Sequence, residues 1–295
     1  MAAQTPNPRI VRDPSEIGGV APAPFLVLPD PAALFSRRAG RIASLVPGNP
    51  FAGFLSFMAE IARAQAAAIA RLSPARPPLD RGAILADSGW RDALLAIAES
   101  LDRAAVPEPA AAALRSLLGR GEEERARFAG RVLDRQFAAE EGAEAVFLVA
   151  ALQVAFTQAA GGLAAAAATS SETPLCPLCR GLPVASLVHA AGERQGLRYL
   201  ACALCAAEWR HTRIKCTACG NTKGLGYHAF AGADGPAKAE ACPECNAYTK
   251  ILYAEKDAAA EPMADDLASL ALDVLMADSG WRRAYPNPFL VPGIA

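Results

Sequence analysis

Apolar residues recur at helical spacing through the first half of the chain, which predicts a helical bundle. Two stripes carry most of this pattern: Phe54, Met58, Ile61, Ile69 and Leu72, then Trp90, Leu94, Ile97 and Leu101. A break at Pro74–Pro78 separates the two stripes. Further helices are expected at Pro109–Leu118 and after Glu122–Glu124, whose carboxylates suit a first helical turn.

Residues 145–171 carry no charge and are the candidate for a membrane span. A spanning helix needs about 20 mainly apolar residues. Gln153, Thr157 and Gln158 interrupt this segment, and Gly161-Gly162 breaks it. We therefore expect a buried central helix of the bundle and no membrane span, followed by a short linker at Thr169–Thr173.

The pattern changes in the second half of the chain. Leu197–Leu200 and Thr249–Tyr253 are rich in β-forming residues and predict hairpin strands. Met263–Met276 has Leu267, Leu270 and Val274 in helical register, which predicts one amphipathic helix. The tail Tyr285–Ile294 alternates proline with apolar residues, so we expect it to dock on the protein rather than form a free helix.

Length and charge limit the classes of function. The 295 residues allow one large or two moderate domains with an ample core. Because the formal net charge is −1, no strong overall field favours nucleic acid or an anionic membrane. The polar, Pro-rich N-terminus lacks the pattern of a secretory signal peptide, so we expect a cytoplasmic protein with reduced thiols.

All eight cysteines fall into four Cys-x-x-Cys pairs: Cys176/Cys179, Cys202/Cys205, Cys216/Cys219 and Cys242/Cys245. The pairs repeat with a period of 40 positions, with 22 residues between the two pairs of a unit and 10 between the units. One Cys-x-x-Cys turn brings two sulfurs onto an ion, and two turns complete a tetrahedral site, as in rubredoxins and zinc ribbons. The spacing predicts two tandem four-thiolate metal sites.

The cysteine pairs have three alternative interpretations. An interleaved grouping would join the second and third pairs, but it would break the repeat. A disulfide framework is disfavoured by the expected reducing compartment, and a thioredoxin-like motif would be a single pair opening a helix. Iron and zinc both suit a tetrahedral all-sulfur site, so the cysteines leave the metal undecided.

No catalytic residues are predicted, and we expect that the protein is not an enzyme. Thiolates already complete both sites, so His189, His211 and His228 are not expected as ligands. The thiols are committed to metal and leave no cysteine nucleophile. No phosphate-binding glycine motif follows a strand.

The segment Glu208–Lys215 joins the two predicted sites and concentrates Trp209, Arg210, Arg213 and Lys215. Trp and Arg are over-represented at binding hot spots, so these four residues form a candidate contact surface for a partner protein. The alternative is a solvated strand whose aromatic side chain packs between the metal modules. A nucleic-acid surface would need clustered positive charge, which neighbouring carboxylates dilute: Glu193, Glu208 and Glu240.

Several motifs connect the cysteine pairs: Gln195–Leu200, Glu208-Trp209, Arg213–Cys216, Lys238–Glu240, Tyr248–Tyr253, Glu255–Asp257, Ala264–Leu270 and Asn287–Leu290. With these motifs the chain resembles the formate dehydrogenase accessory protein family, FdhE. The resemblance covers roughly residues 172–290, and before that only helical character and length are similar. It implies a cytoplasmic factor that binds the catalytic subunit of a molybdenum- or tungsten-dependent formate dehydrogenase and supports its assembly. It also implies rubredoxin-like sites associated with iron, two metal ions per chain.

The expected architecture is an α+β multidomain protein. Its predicted parts are an extended lead-in (1–30), an all-helical domain (31–170), two rubredoxin-like or zinc-ribbon modules (171–212 and 213–257), and a C-terminal helix with a docking tail (258–295). A zinc-ribbon protein that binds nucleic acid is the alternative function, and a rubredoxin-type electron carrier is a weaker one. Homo-oligomers are compatible with all three.

Overall fold

The computed structural model describes residues 23–72, 79–102, 104, 106–163, 173–230 and 235–290. The first half of the chain is helical, as its pattern predicts. Its helices are α1 (Leu34–Ser44), α2 (Ala52–Ile69), α3 (Arg81–Ala86), α4 (Gly89–Asp102), α5 (Glu108–Gly119), α6 (Glu122–Leu133) and α7 (Gly142–Gly161). The predicted break at Pro74–Pro78, the lead-in up to residue 22 and the linker up to residue 172 lie outside the described residues.

The predicted apolar stripes pack the helices together. All four members of the second stripe on α4 are buried, and so are Met58, Ile61 and Ile69 of the first stripe. Asp80 caps α3, since its side chain accepts a hydrogen bond of 2.9 Å from the backbone N–H of Ala83. The first turn of α6 contains Glu122–Glu124, as expected from the favourable interaction of carboxylates with a helix N-terminus.

Helix α7 is the centre of the bundle and packs against α2, α4, α5 and α6. Among the described residues, the segment Ala139–Gly161 that contains it is the candidate membrane span by length and composition. However, 78% of its most apolar window is buried inside the protein. Its polar Gln153 and Thr157 are buried as well. This burial matches the predicted central core helix.

Eight strands among the described residues form one sheet. They are β1 (Leu26–Val27), β2 (Pro183–Val188), β3 (Arg198–Cys202), β4 (Glu208–His211), β5 (Gly226–His228), β6 (Ala237–Cys242), β7 (Ala247–Tyr253) and β8 (Arg282–Arg283). The strand order is β1-β4-β3-β2-β7-β6-β5, and β8 also pairs with β7. The β2–β7 and β7–β8 pairs are parallel, and the other pairs are antiparallel.

The sheet reproduces the 40-residue repeat of the cysteines. Strands β2–β3–β4 form one antiparallel meander, and β5–β6–β7 form a second with the same strand order along the chain. We call these meanders, with their cysteine turns, the first and second modules. The parallel β2–β7 pair, with Leu187 opposite Leu252, joins both modules into one sheet. Strand β1 pairs with β4, so the start of the described chain is fixed to the first module.

The C-terminal region differs from the expected single helix over Met263–Met276. The structure has α8 (Pro262–Ala268) and α9 (Leu270–Asp278), and Val274 is 55% exposed instead of facing the core. The buried Lys250 explains the break, because its Nζ donates to the carbonyl oxygens of Asp266 (2.8 Å) and Ser269 (3.1 Å). In a continuous helix the Asp266 carbonyl would accept from the next turn, whereas the Ser269 carbonyl still accepts from the N–H of Leu272 at 3.0 Å. The helix therefore ends at this lysine.

Candidate metal centres and the cleft between them

The eight cysteines, all within the described residues, form two groups of four, as the tandem repeat predicts. Cys176, Cys179, Cys202 and Cys205 are the first centre, and Cys216, Cys219, Cys242 and Cys245 are the second. All sulfurs within a group lie within 4.8 Å of one another. This arrangement contradicts the interleaved grouping, and all eight thiols are free of disulfides.

The sulfur spacing fits a tetrahedral metal ion in both groups. Cross-pair Sγ–Sγ distances are 3.6 and 3.4 Å in the first centre and 3.8 and 3.7 Å in the second. An ion with metal–sulfur bonds of about 2.3 Å needs sulfurs about 3.8 Å apart. Either iron or zinc would satisfy this geometry and donor set.

Four turns of the same construction present these sulfurs. The residue after the second cysteine of each pair has a positive φ: Arg180 (61°), Ala206 (60°), Gly220 (79°) and Asn246 (51°). The first cysteine then pairs with the residue five positions later, as in the N–H of Cys176 donating to the carbonyl of Gly181 at 2.8 Å. The same backbone pairing joins Cys202 to Ala207, Cys216 to Asn221 and Cys242 to Ala247. Three of the turns adopt the left-handed conformation without glycine, at a cost of roughly 1–2 kcal/mol each.

The two centres differ in exposure. Every cysteine of the first centre is buried, whereas Cys219 of the second centre is exposed and Cys245 is half-buried. Burial raises the pKa of Cys202 in the first centre well above that of a free thiol. Its thiolate form therefore requires a cation beside it. A metal ion in the first centre would be enclosed by protein, while one in the second would face solvent along one side.

Buried hydrogen bonds connect the first centre to the helical domain. Gln153 of α7 donates to the carbonyl oxygen of Ala203, inside the second cysteine turn of this centre, at 2.7 Å. Gln153 in turn accepts from Gln65 of α2 at 3.0 Å. Arg38 of α1 lies within 3.5 Å of the same Gln153 oxygen and also pairs with Glu261 before α8. The first centre is thus part of the protein core.

A different set of contacts surrounds the second centre. Asn221 donates from Nδ2 to the Cys242 sulfur at 3.5 Å. Burial raises the pKa of Cys242, but this bond and backbone N–H donors lower it to about 6, so the thiolate is favoured at neutral pH. The Tyr285 hydroxyl donates to the carbonyl oxygen of Thr217 at 2.7 Å, which holds the tail against the turn between Cys216 and Cys219.

The candidate partner residues separate into two groups in the structure. Trp209 is 1% exposed and packs in the core, so the expectation of a surface contact there is wrong; alternating side chains of β4 point its indole inward. Arg210 and Arg213 are exposed and Lys215 is half-buried. These three line a cleft of about 690 Å³ between the first and second modules, together with Cys216 and Cys219.

Sequence reasoning missed residues that support the cysteines. They are the left-handed residues Arg180, Ala206 and Asn246, of which only the asparagine favours this conformation and offers a signal; the glycines at 181 and 220 do predict flexibility after two of the turns. Gly181 matters for space, because a Cβ there would lie 3.2 Å from the sulfurs of Cys179 and Cys202. Gln153 was regarded as an interruption of an apolar helix. Its contact with Ala203 depends on tertiary packing and has no local signal.

Family comparisons cover almost the whole chain. Residues 23–172 match the family described as "FdhE, N-terminal", residues 175–213 match "FdhE, central domain", and residues 214–290 match "FdhE, C-terminal domain". A "Protein FdhE homolog" of Rhizobium meliloti is 38% identical over 95% of this chain and 97% of its own length. A second, from Pseudomonas aeruginosa, is 37% identical over 97% of this chain and 99% of its own length.

A solved structure has the same fold. The crystal structure of the FdhE protein from Pseudomonas aeruginosa superposes with a TM-score of 0.79 at 36% sequence identity. The match covers 92% of this chain and all of the crystallised chain. The helical domain followed by a sheet is therefore also the fold of this relative.

Proposed function

This chain belongs to the FdhE family, and from that premise we propose that it is an accessory factor of formate dehydrogenase. In this proposal it binds the catalytic subunit in the cytoplasm and supports assembly of the active enzyme, without catalysing a reaction itself. The observation that carries the proposal is the match to FdhE over 23–172, 175–213 and 214–290, which includes both centres and the motifs between them.

The arrangement of the cysteines supports a binding role rather than a catalytic one. All eight thiols belong to two groups of four sulfurs, which leaves no cysteine outside the groups as a nucleophile. None of the three histidines belongs to either group. His189 contacts Glu208 (3.0 Å) and His211 contacts the carbonyl oxygen of Lys215 (3.2 Å). These contacts fit histidines with structural roles.

A deletion experiment tests the proposed function. In a bacterium that carries this protein and a formate dehydrogenase, removing the gene should abolish most formate dehydrogenase activity while the catalytic subunit is still synthesised. Wild-type protein supplied in trans should restore the activity, because the enzyme itself is unaltered. Activity that is unchanged by the deletion would contradict the proposal.

We further propose that each centre binds one metal ion with a mainly structural role, and that the metal is iron. The sulfur geometry accepts iron or zinc, and the family resemblance favours iron. Anaerobically purified protein should therefore contain two iron ions per chain and absorb visible light. Elemental analysis and an absorbance spectrum provide the measurement. A colourless protein with two zinc ions would contradict iron and would also exclude an electron-carrier function.

A further inference from the structure

The cleft between the modules has an unusual charge. Its lining residues include the start of β3, Arg210 and His211 of β4, and most of the segment from Thr212 to Gly220 that follows. Arg198, Arg210, Arg213 and Lys215 are its charged lining residues, and no Asp or Glu is among the lining residues that the structure describes. In a chain with a net charge of −1, this is a local concentration of cations. Such a cleft attracts an anionic ligand.

A buried arginine holds the basic segment in place. The Nη1 of Arg198 pairs with Glu240 at 2.9 Å and donates to the carbonyl oxygen of Arg213 at 3.2 Å. Its Nη2 is buried and has no hydrogen-bond partner among the described residues, so part of the guanidinium remains unsatisfied behind the cleft wall. The backbone N–H of Arg210 donates to the carbonyl oxygen of Phe25 at 2.8 Å. The backbone that carries the cations is therefore fixed before any ligand binds, which lowers the entropic cost of binding.

The surroundings of the cleft favour a short ligand over a long polyanion. Glu208 lies two positions before Arg210 on β4, where it pairs with Arg194 at 2.7 Å. Near Arg213, the carboxylate of Glu240 pairs with Arg198, which also donates to the carbonyl oxygen of Arg213. A nucleic-acid backbone needs a continuous basic track, which these carboxylates interrupt.

Apolar residues beside the cations indicate a peptide. Phe25 and Leu197 line the cleft, and Ile214, between two of the basic residues, is 62% exposed. Side chains of a peptide can use both kinds of surface, with carboxylates on the guanidinium groups and apolar groups on the rim. A free phosphate would use only the charged part.

From these observations we propose that the cleft between the modules binds a short acidic peptide segment of the partner protein, with Arg210 and Arg213 as the carboxylate-binding residues. This proposal specifies the contact chemistry of the partner interaction proposed above and rests on it. A divalent ion held by four thiolates has two net negative charges, and Cys219 lines the cleft. Repulsion from this charge therefore directs the peptide carboxylates to the guanidinium groups of Arg210 and Arg213.

Fluorescence anisotropy with full-length, metal-loaded protein tests the proposal. The probe is a labelled octapeptide of alternating Glu and Leu, and a Gln/Leu octapeptide and labelled single-stranded oligothymidine are the comparison ligands. Wild-type protein should bind the Glu/Leu peptide best. The double variant Arg210→Glu/Arg213→Glu should bind it at least about tenfold more weakly, because two charge-assisted contacts become repulsive. Raising NaCl from about 0.05 to about 0.5 M should weaken wild-type binding as well.

Two further variants control for folding and for net charge. Arg71→Glu/Arg115→Glu makes the same charge change on the surface of the helical domain, at side chains 51% and 64% exposed, and should bind the peptide as wild type does. The milder Arg210→Gln/Arg213→Gln should give an intermediate affinity, which keeps the test valid if charge reversal disturbs the cleft.

Three outcomes would overturn the acidic-peptide proposal: equal affinity of wild type and cleft variants, no peptide binding by wild type, or preferential binding of oligothymidine. If wild-type protein does not bind the peptide and the cleft variants lose metal, the cations only neutralise the thiolate centre. None of these results depends on formate dehydrogenase activity, so they remain distinguishable from failure of the proposed accessory function.

Discussion

Replacing Cys176 with serine is expected to unfold most of the protein. The Cys176 side chain is fully buried in the first centre, and that centre is hydrogen-bonded to the central helix α7 through Gln153. Binding of a structural metal contributes roughly 10–16 kcal/mol in small zinc modules. This is comparable with the whole net stability of a typical domain, about 5–15 kcal/mol. Cys176→Ser should therefore give little folded protein, measured by circular dichroism, thermal melting and metal content.

The comparison variant is Cys219→Ser, in the second centre, whose equivalent in the 40-residue repeat is Cys179. Cys219 is exposed, whereas the bond from Gln153 of α7 goes to the first centre. This variant should lose at most one metal ion and keep the melting transition of the helical domain. Equal loss of helical structure in both variants would contradict the distinction between a core centre and an open centre.

We expect the second large loss of stability for Asp266→Ala. Asp266 is fully buried and lies between Lys250 (3.3 Å) and Arg283, and Asn287 donates to it at 2.7 Å. Removing the carboxylate would leave the two buried cations with one fewer carboxylate to neutralise them, which costs about 3–5 kcal/mol. Chemical denaturation should show this loss in the free energy of unfolding. Asp134→Ala, which breaks an exposed pair with Arg81, should cost at most about 1 kcal/mol.

The same cluster gives a pH dependence with a definite sign. Burial raises the pKa of Asp266, but Arg283 and Lys250 outweigh this effect and hold the pKa below its ordinary value of 3.8. A carboxylate with a lowered pKa stabilises the fold above the unfolded pKa, and this contribution is lost as the pH falls through the folded pKa. The stability difference between wild type and Asp266→Ala should therefore shrink in acid below about pH 4. A difference that grows in acid, or one below about 1 kcal/mol at neutral pH, would rule out the charge network as its cause.

The centres themselves were predictable because their chemistry is local and repeated. Cys-x-x-Cys spacing fixes two sulfurs per turn, and the 40-residue period pairs the turns without tertiary information. The helical stripes were predictable for a similar reason, since Trp90 and Leu94 lie on one helical face whatever surrounds them.

Features that depend on distant contacts were not predictable. The parallel pairing of β2 with β7 joins residues 186–188 to 251–253, and nothing in either strand specifies that partner. Lys250 ends α8 from across the sheet, so the periodicity of Met263–Met276 gave no sign of the break. The difference between the centres also arises from tertiary contacts, because Gln153 of α7 bonds to the first centre while Cys219 of the second centre is exposed.

The difference in burial between the two centres indicates a division of roles within the proposed function. The first centre fixes the sheet to the helical domain. The second centre forms part of a basic cleft that contains Arg210 and Arg213. A partner that docks in this cleft would contact the second module while the core remains unchanged, as in preorganised binding.

Capture of the tagged protein from anaerobic cells that express formate dehydrogenase, followed by native mass spectrometry, tests the central claim most directly. The account predicts a complex of this chain, carrying two metal ions, with the formate dehydrogenase catalytic subunit. Recovery of the metal-loaded chain alone, or bound only to nucleic acid, from cells that contain the subunit would contradict it.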